Sequence, residues 1–130
     1  MHPFRAAIEA GDIDAALNLL AHDVVFRSPV VFTPYRGRDA VAPILHAVSQ
    51  VFEEFRYVRE LASANATDHA LVFQARVGGR AIEGSDFLHV DEDGSIDDLT
   101  VMVRPLSATL ALAEAMNDML SASGDPPGGD

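Results

Sequence analysis

One carboxylate stands apart from the other acids of this sequence. In "RAIEGSDFLHV", residues 80–90, strand alternation puts Ile82, Gly84, Asp86, Leu88 and Val90 on one side. A hairpin turned at "DEDG" sets that side beside Leu99, Val101 and Val103 of "SIDDLTVMVR", the apolar face of the next strand. Asp86 is therefore the acid of an otherwise hydrocarbon surface. Ionisation there costs several kcal/mol, so its pKa rises or it acquires a partner. A neutral carboxyl so placed can donate a hydrogen bond or act as a general acid. The competing reading is a structural aspartate, bonded to nearby backbone or sitting at a wet pocket mouth.

His69 is a second candidate catalytic group. It opens "HALVFQARV", whose alternate residues Leu71, Phe73, Ala75 and Val77 face the core, and imidazole titrates near neutrality. A histidine at a strand end is also commonly a surface residue. His89 alternates to the outer face, and His2, His22 and His46 fall on helices or at their ends. No spacing of histidines and acids suits a metal, and the absence of cysteine excludes thiolate nucleophiles, disulfides and Cys-ligated centres. Neither metal nor cofactor is expected.

The elements that must hold these groups can be read from periodicity. Residues 3–20 are helical with a break at "AGD", where Asp12 is a good N-cap, giving two short helices or one kinked one. A short strand follows from Val24 to about Ser28, ended by Pro29. Val41, Ile44, Leu45, Val48, Val51 and Phe52 mark one face of a helix from about Asp39 to Glu53, which Pro43 makes awkward near its start. The second half changes period: "FRYVRELAS", "HALVFQARV", "RAIEGSDFLHV" and "SIDDLTVMVR" alternate as strands of an antiparallel meander. Pro105 suits the first turn of a final helix carrying Leu106, Leu110, Ala113, Met116 and Leu120. Helices followed by a run of strands mean an α+β fold with helices over one face of the sheet. Residues 1–120 form one domain, and 121–130, "SASGDPPGGD", read as a disordered tail.

Composition narrows the partners. A chain of 130 residues that is 48% hydrophobic supports one real core. Net charge is −11 and arginine supplies all 9 basic residues, so nucleic acid is not an expected partner. No apolar run approaches membrane-span length and no signal-peptide pattern opens the chain, so a cytoplasmic protein without membrane contact is expected.

The blocks "IEAGDIDAALNLLAHDVVFRSPV", "YRGRDAVAPIL" and "GSDFLHVDEDGSIDDLTVMVRP" resemble the nuclear transport factor 2-like superfamily, which includes steroid delta-isomerase and SnoaL-like polyketide cyclases. The resemblance implies a cone-shaped, antiparallel-rich mixed sheet with the N-terminal helices packed over its concave face. It also implies a pocket. The isomerase's catalytic base falls at Ser28, its helix tyrosine at Phe4, two supporting tyrosines at Leu20 and Leu45, and its protonated aspartate at Asp86. A serine and three hydrocarbons cannot run that reaction, so a steroid delta-isomerase is not expected.

The expected function is thus that of a SnoaL-like pocket protein acting on, or only binding, an apolar polycyclic, steroid- or terpenoid-like ligand. If it is an enzyme, isomerisation, cyclisation or dehydration with Asp86 as acid or hydrogen-bond donor is expected; a non-catalytic binder or accessory subunit is the alternative. The predicted pocket wall comprises Phe4, Leu20, Phe26, Ser28, Phe32, Tyr35, Leu45, Leu88, Leu99, Val101 and Val103, with "FRSPVVFTPYRG" as rim and lid. On the outer face Val72, Phe87 and Met102 leave an apolar patch, and the resemblance implies a homodimer formed through it.

Overall fold

A computed structural model describes residues 1–122 of the protein. The chain runs α1 (Pro3–Glu9), α2 (Ile13–Asn18), β1 (Leu20–Arg27), β2 (Tyr35–Arg36), α3 (Arg38–Val51), β3 (Glu53–Ala62), β4 (Asp68–Val77), β5 (Arg80–Val90), β6 (Ile96–Arg104) and α4 (Leu106–Ala122). The architecture is α+β. Six strands form one sheet in the order β2-β1-β6-β5-β4-β3, with β1 parallel to β6 and the other pairs antiparallel.

The predicted break between the first helices has a local cause. Pro3 begins α1, where its missing N–H costs nothing, and the His2 Nδ1 atom accepts the Phe4 N–H at 3.0 Å. Gly11 then takes φ +72, and Asp12 caps α2 by accepting from the Ala15 N–H at 3.0 Å. Both helices bury one face, Phe4 and Ala7 from α1, Ile13, Ala16 and Leu17 from α2, in the core that also holds Leu71, Phe73, Leu88 and Leu99 from the sheet.

Several boundaries differ from expectation. β1 begins at Leu20, because Leu20 already pairs with Ile96 before a bulge carries the register past the polar His22 and Asp23 to Val25. α3 starts at Arg38 and ends at Val51, so Glu53 belongs to β3. Pro43 is inside the helix, and the face Val41, Ile44, Leu45 and Ala47 buries enough apolar surface to hold the turn that lacks its N–H. Pro105 precedes α4, its carbonyl accepting from the Thr109 N–H at 2.9 Å. In α4 the buried stripe is Ala108, Leu112, Met116 and Leu120, which leaves Leu106 and Leu110 exposed. The helix continues to Ala122, two residues into the stretch predicted as tail; the rest of that stretch lies outside the described residues. Among the described residues no helix is long and apolar enough to cross a membrane.

Candidate functional site

Between the concave face of the sheet and the helices lies a cavity of ≈ 450 Å³. β1, β2, β3, β5 and β6 contribute inward-pointing residues to its wall. Phe26 of β1 pairs with Leu99 of β6, and Val101 pairs with Asp86 of β5, so Phe26, Leu99, Val101 and Asp86 form a contiguous patch of wall. α1 adds Phe4 and Ile8, α3 adds Ile44, Leu45 and Val48, and α4 adds Leu112, Met116 and Leu120. Among the described residues no arginine or histidine lines it, and Asp86 is its one carboxyl group.

Asp86 is 9% exposed, the one charged residue among the buried ones that are described. Its Oδ2 atom accepts a hydrogen bond of 2.6 Å from the Tyr57 hydroxyl. Tyr57 belongs to β3, two strands away, and is opposite Phe73 of β4, whose ring stands edge-on to it at 6.4 Å. A strand spacing is about 4.8 Å, so a side chain as long as tyrosine is required to reach across β4. Gly84 makes room for this arrangement: a Cβ there would meet the Phe73 ring at 2.9 Å and the Val103 side chain at 2.8 Å. Behind the ring of Tyr57, the Arg5 guanidinium of α1 sits 5.9 Å from its centroid, held by Glu9 at 3.3 Å and Glu60 at 3.4 Å.

Burial pushes the Asp86 carboxyl up to about 6, and the hydrogen bond from Tyr57 partly restrains the rise. Tyr57 is pushed up as well, by burial first and then by the neighbouring Asp86 carboxylate, so it stays a neutral donor. The pair therefore presents an acid that exchanges its proton close to neutrality, in a chamber whose other walls are mostly hydrocarbon. Such a group can protonate or hydrogen-bond a carbonyl or hydroxyl oxygen, or withdraw a proton from one.

Of the predicted wall, Phe4, Phe26, Ser28, Tyr35, Leu45, Leu99 and Val101 line the cavity. Leu20 does not: it is wholly buried against Ile96 of β6. Leu88 is closed into the core between Leu99 and His69 on its neighbouring strands. Val103 packs with Phe73 over Gly84 and so fills space instead of bordering it. Phe32 is 94% exposed, because the turn in which Ser28 Oγ accepts the Val30 N–H at 3.1 Å leaves Val30 and Val31 on the cavity wall and Phe32 outside. His69 is also off the cavity. Its Nε2 atom is 3.0 Å from the Ala66 carbonyl, its ring meets His2 edge-on at 4.7 Å, and its buried Nδ1 has no partner among the described residues.

The residue that sequence reasoning missed is Tyr57. Its signal was present, since it lies on a predicted strand with Phe55, which also lines the cavity. Bulges between Glu53 and Arg56 and between Tyr57 and Arg59 break the alternation, however, so counting along β3 does not tell which side Tyr57 takes.

Comparison with known proteins agrees with this geometry. Residues 2–99 match the family model described as a SnoaL-like domain. A steroid delta-isomerase from Pseudomonas aeruginosa is 44% identical, with a TM-score of 0.87 over 91% of this chain and 86% of that one. An uncharacterized protein conserved in bacteria with a cystatin-like fold, from Silicibacter pomeroyi, is 38% identical, with a TM-score of 0.87 over 95% of this chain and 89% of that one. The epoxide hydrolase/cyclase-like enzyme SalBIII, with a role in pyran ring formation in the polyether salinomycin, shares the fold at 16% identity and a TM-score of 0.65, over 81% of this chain and 87% of that one. No curated protein matches. The chain belongs to the SnoaL-like domain family and has its nuclear transport factor 2-like fold.

Proposed function

We propose that this SnoaL-like protein takes an apolar small molecule of polycyclic, steroid- or terpenoid-like shape into the cavity, in the cytoplasm, and presents Asp86 to that molecule's polar group as an acid or hydrogen-bond donor. The observation that carries this reading is the Tyr57–Asp86 pair, placed as the one acid of an apolar chamber. The volume of ≈ 450 Å³ is within the range of small-molecule sites. An acid exchanging its proton near neutrality is suited to isomerisation, cyclisation or dehydration, each of which passes through a more basic or more anionic oxygen.

The relative from Pseudomonas aeruginosa is described as a steroid delta-isomerase, but moving a carbon-bound proton calls for a base as well as a donor on the carbonyl. With Ser28 where the isomerase's base would fall, this cavity has one carboxyl for both tasks. That scarcity favours a second reading, a non-catalytic ligand binder or accessory subunit. Native mass spectrometry of the purified protein, with extraction of any occupant, tests both. A neutral polycyclic occupant whose binding survives Asp86→Asn while its conversion is lost supports the enzyme; binding without conversion supports the binder. An anionic occupant, such as a carboxylate or phosphate ester, would sink the reading.

The homodimer is proposed on a separate observation. Phe87 and Met102 on the outer face are 42% and 60% exposed, and the Ser85 hydroxyl between Val72 and Met102 is buried with no partner. A second copy meeting this face would cover the hydrocarbon and offer that hydroxyl a partner.

A further inference from the structure

Among the described residues the polar lining of the cavity is short: Ser28, Tyr35, Ser49, Tyr57, Asp86 and Asn117. Ser49 and Asn117 are exposed on the helices, where water serves them, and Ser49 Oγ already donates to the His46 carbonyl at 2.7 Å. The Tyr57 hydroxyl is committed to Asp86, and the Tyr35 ring packs against Phe26 at 6.1 Å. Ser28 is different. Its oxygen accepts the Val30 N–H at 3.1 Å, so the turn uses a lone pair and, among the described residues, leaves the hydroxyl proton without an acceptor. That proton belongs to a half-buried group on the wall of an apolar chamber.

Strand register fixes where Ser28 stands relative to Asp86. Arg27 of β1 pairs in parallel with Thr100, so the next residue, Ser28, comes level with Val101, and Val101 pairs with Asp86. Ser28 and Asp86 thus flank Val101 on the same row of the concave face. They are two strand spacings apart, roughly 9–10 Å between backbones, and both side chains point inward.

From this placement we infer that Ser28 is the second polar anchor of the cavity and that the ligand is oxygenated at two opposed positions, one at each end of the row. One oxygen meets Asp86, the other accepts from the Ser28 hydroxyl, and the hydrocarbon joining them lies over Val101. The inference rests on the cavity reading above and deepens it by naming the ligand class: a rigid apolar dioxygenated molecule, in preference to its mono-oxygenated analogue.

The test is isothermal titration calorimetry of the full chain with anthraquinone, which carries two opposed carbonyls, and with anthrone, which lacks one of them. Wild type is expected to hold the dione roughly five- to tenfold more tightly, the value of one hydrogen bond. Ser28→Ala is expected to erase that preference while leaving the mono-ketone's affinity unchanged, and Ser28→Thr, which keeps a hydroxyl, to restore it. Equal losses for both ligands in Ser28→Ala would assign Ser28 to the turn alone and overturn the inference, as would a wild type with no preference. In both cases the cavity reading survives. Binding of neither ligand to wild type would overturn the cavity reading and this inference with it.

Discussion

Asp86 and Phe87 are adjacent in the chain and face opposite circumstances. On the concave side Asp86 is alone, a carboxyl with one hydrogen-bond donor and hydrocarbon around it, and its proton affinity rises accordingly. On the convex side hydrocarbon is in the minority. Phe87 and Met102 lie between ion pairs, Glu83 with Arg104 toward one end and Arg27 with Asp98 toward the other. Among the described residues of that face, the Ser85 hydroxyl at the centre of the patch is a buried polar group without a partner. The same strands thus build two surfaces on which the exceptional residue carries the information: an acid in hydrocarbon inside, hydrocarbon among charges outside.

The largest effect should come from charging the outer exception. Phe87→Glu with Met102→Glu places like charges on the patch, and in a homodimer formed through it each would be buried opposite its own copy. The dissociation constant is expected to rise at least about a hundredfold, since a buried unpaired charge costs about 3 kcal/mol or more. Sedimentation velocity over a concentration series would show it, with thermal unfolding confirming a folded monomer. A wild type that sediments as a monomer at every concentration would remove the dimer and reduce the convex patch to ordinary exposed hydrocarbon.

The inner exception should be visible in stability. Folding raises the Asp86 pKa from 3.8 to about 6, so between these values the folded state holds a proton that the unfolded chain has released. The stabilisation this proton linkage gives is complete below pH 4, is lost as pH rises through 6, and amounts to about 3 kcal/mol. Asp86→Asn cannot ionise. From pH 4 to pH 7 its stability in urea should therefore gain on wild type by about that amount, whatever the other carboxylates do in both proteins. A constant difference across the range would mean that the ionised carboxylate is as well solvated inside as outside, and the contrast between the faces would collapse.

How much of this could be read from the sequence follows the regularity of its elements. β5 and β6 pair without interruption from Glu83 to His89, so alternation alone puts Asp86 on the covered face and Phe87 on the other. Asp12 announced the start of α2 because an N-cap is a local interaction, completed within three residues. Phe32 was misplaced because a loop has no period to count: a single turn at Ser28 decides which of Val30, Val31 and Phe32 faces the cavity. Leu20, Leu88 and Val103 do face the core, but which core residues border empty space depends on how neighbouring side chains fill it, as Phe73 and Val103 do over Gly84. Tyr57 needed two facts that no local pattern contains, the phase shift at its bulge and a partner two strands away.

Tyr57 also supplies the smallest effect and the sharpest test of what isolation does to Asp86. Its hydroxyl stabilises the ionised carboxylate, while burial opposes ionisation more strongly. Tyr57→Phe removes the first influence and keeps the second, because the phenyl ring still fills the same space. A hydrogen bond to a charged group contributes about 1.5–3 kcal/mol, and one pKa unit corresponds to about 1.4 kcal/mol. The Asp86 titration, followed by carbon NMR of its carboxyl, should therefore move upward from about 6 by roughly one unit or more, enough to turn a group mostly ionised at pH 7 into one mostly protonated or evenly divided. Arg5 lies against the face of the Tyr57 ring, and its pairs with Glu9 and Glu60 do not involve the hydroxyl, so α1 should stay in place. A midpoint that stays where it is would show that water reaches the carboxylate and substitutes for the lost donor. The concave face would then be wet, and Asp86 would differ from the carboxylates of the convex face in position but not in chemistry.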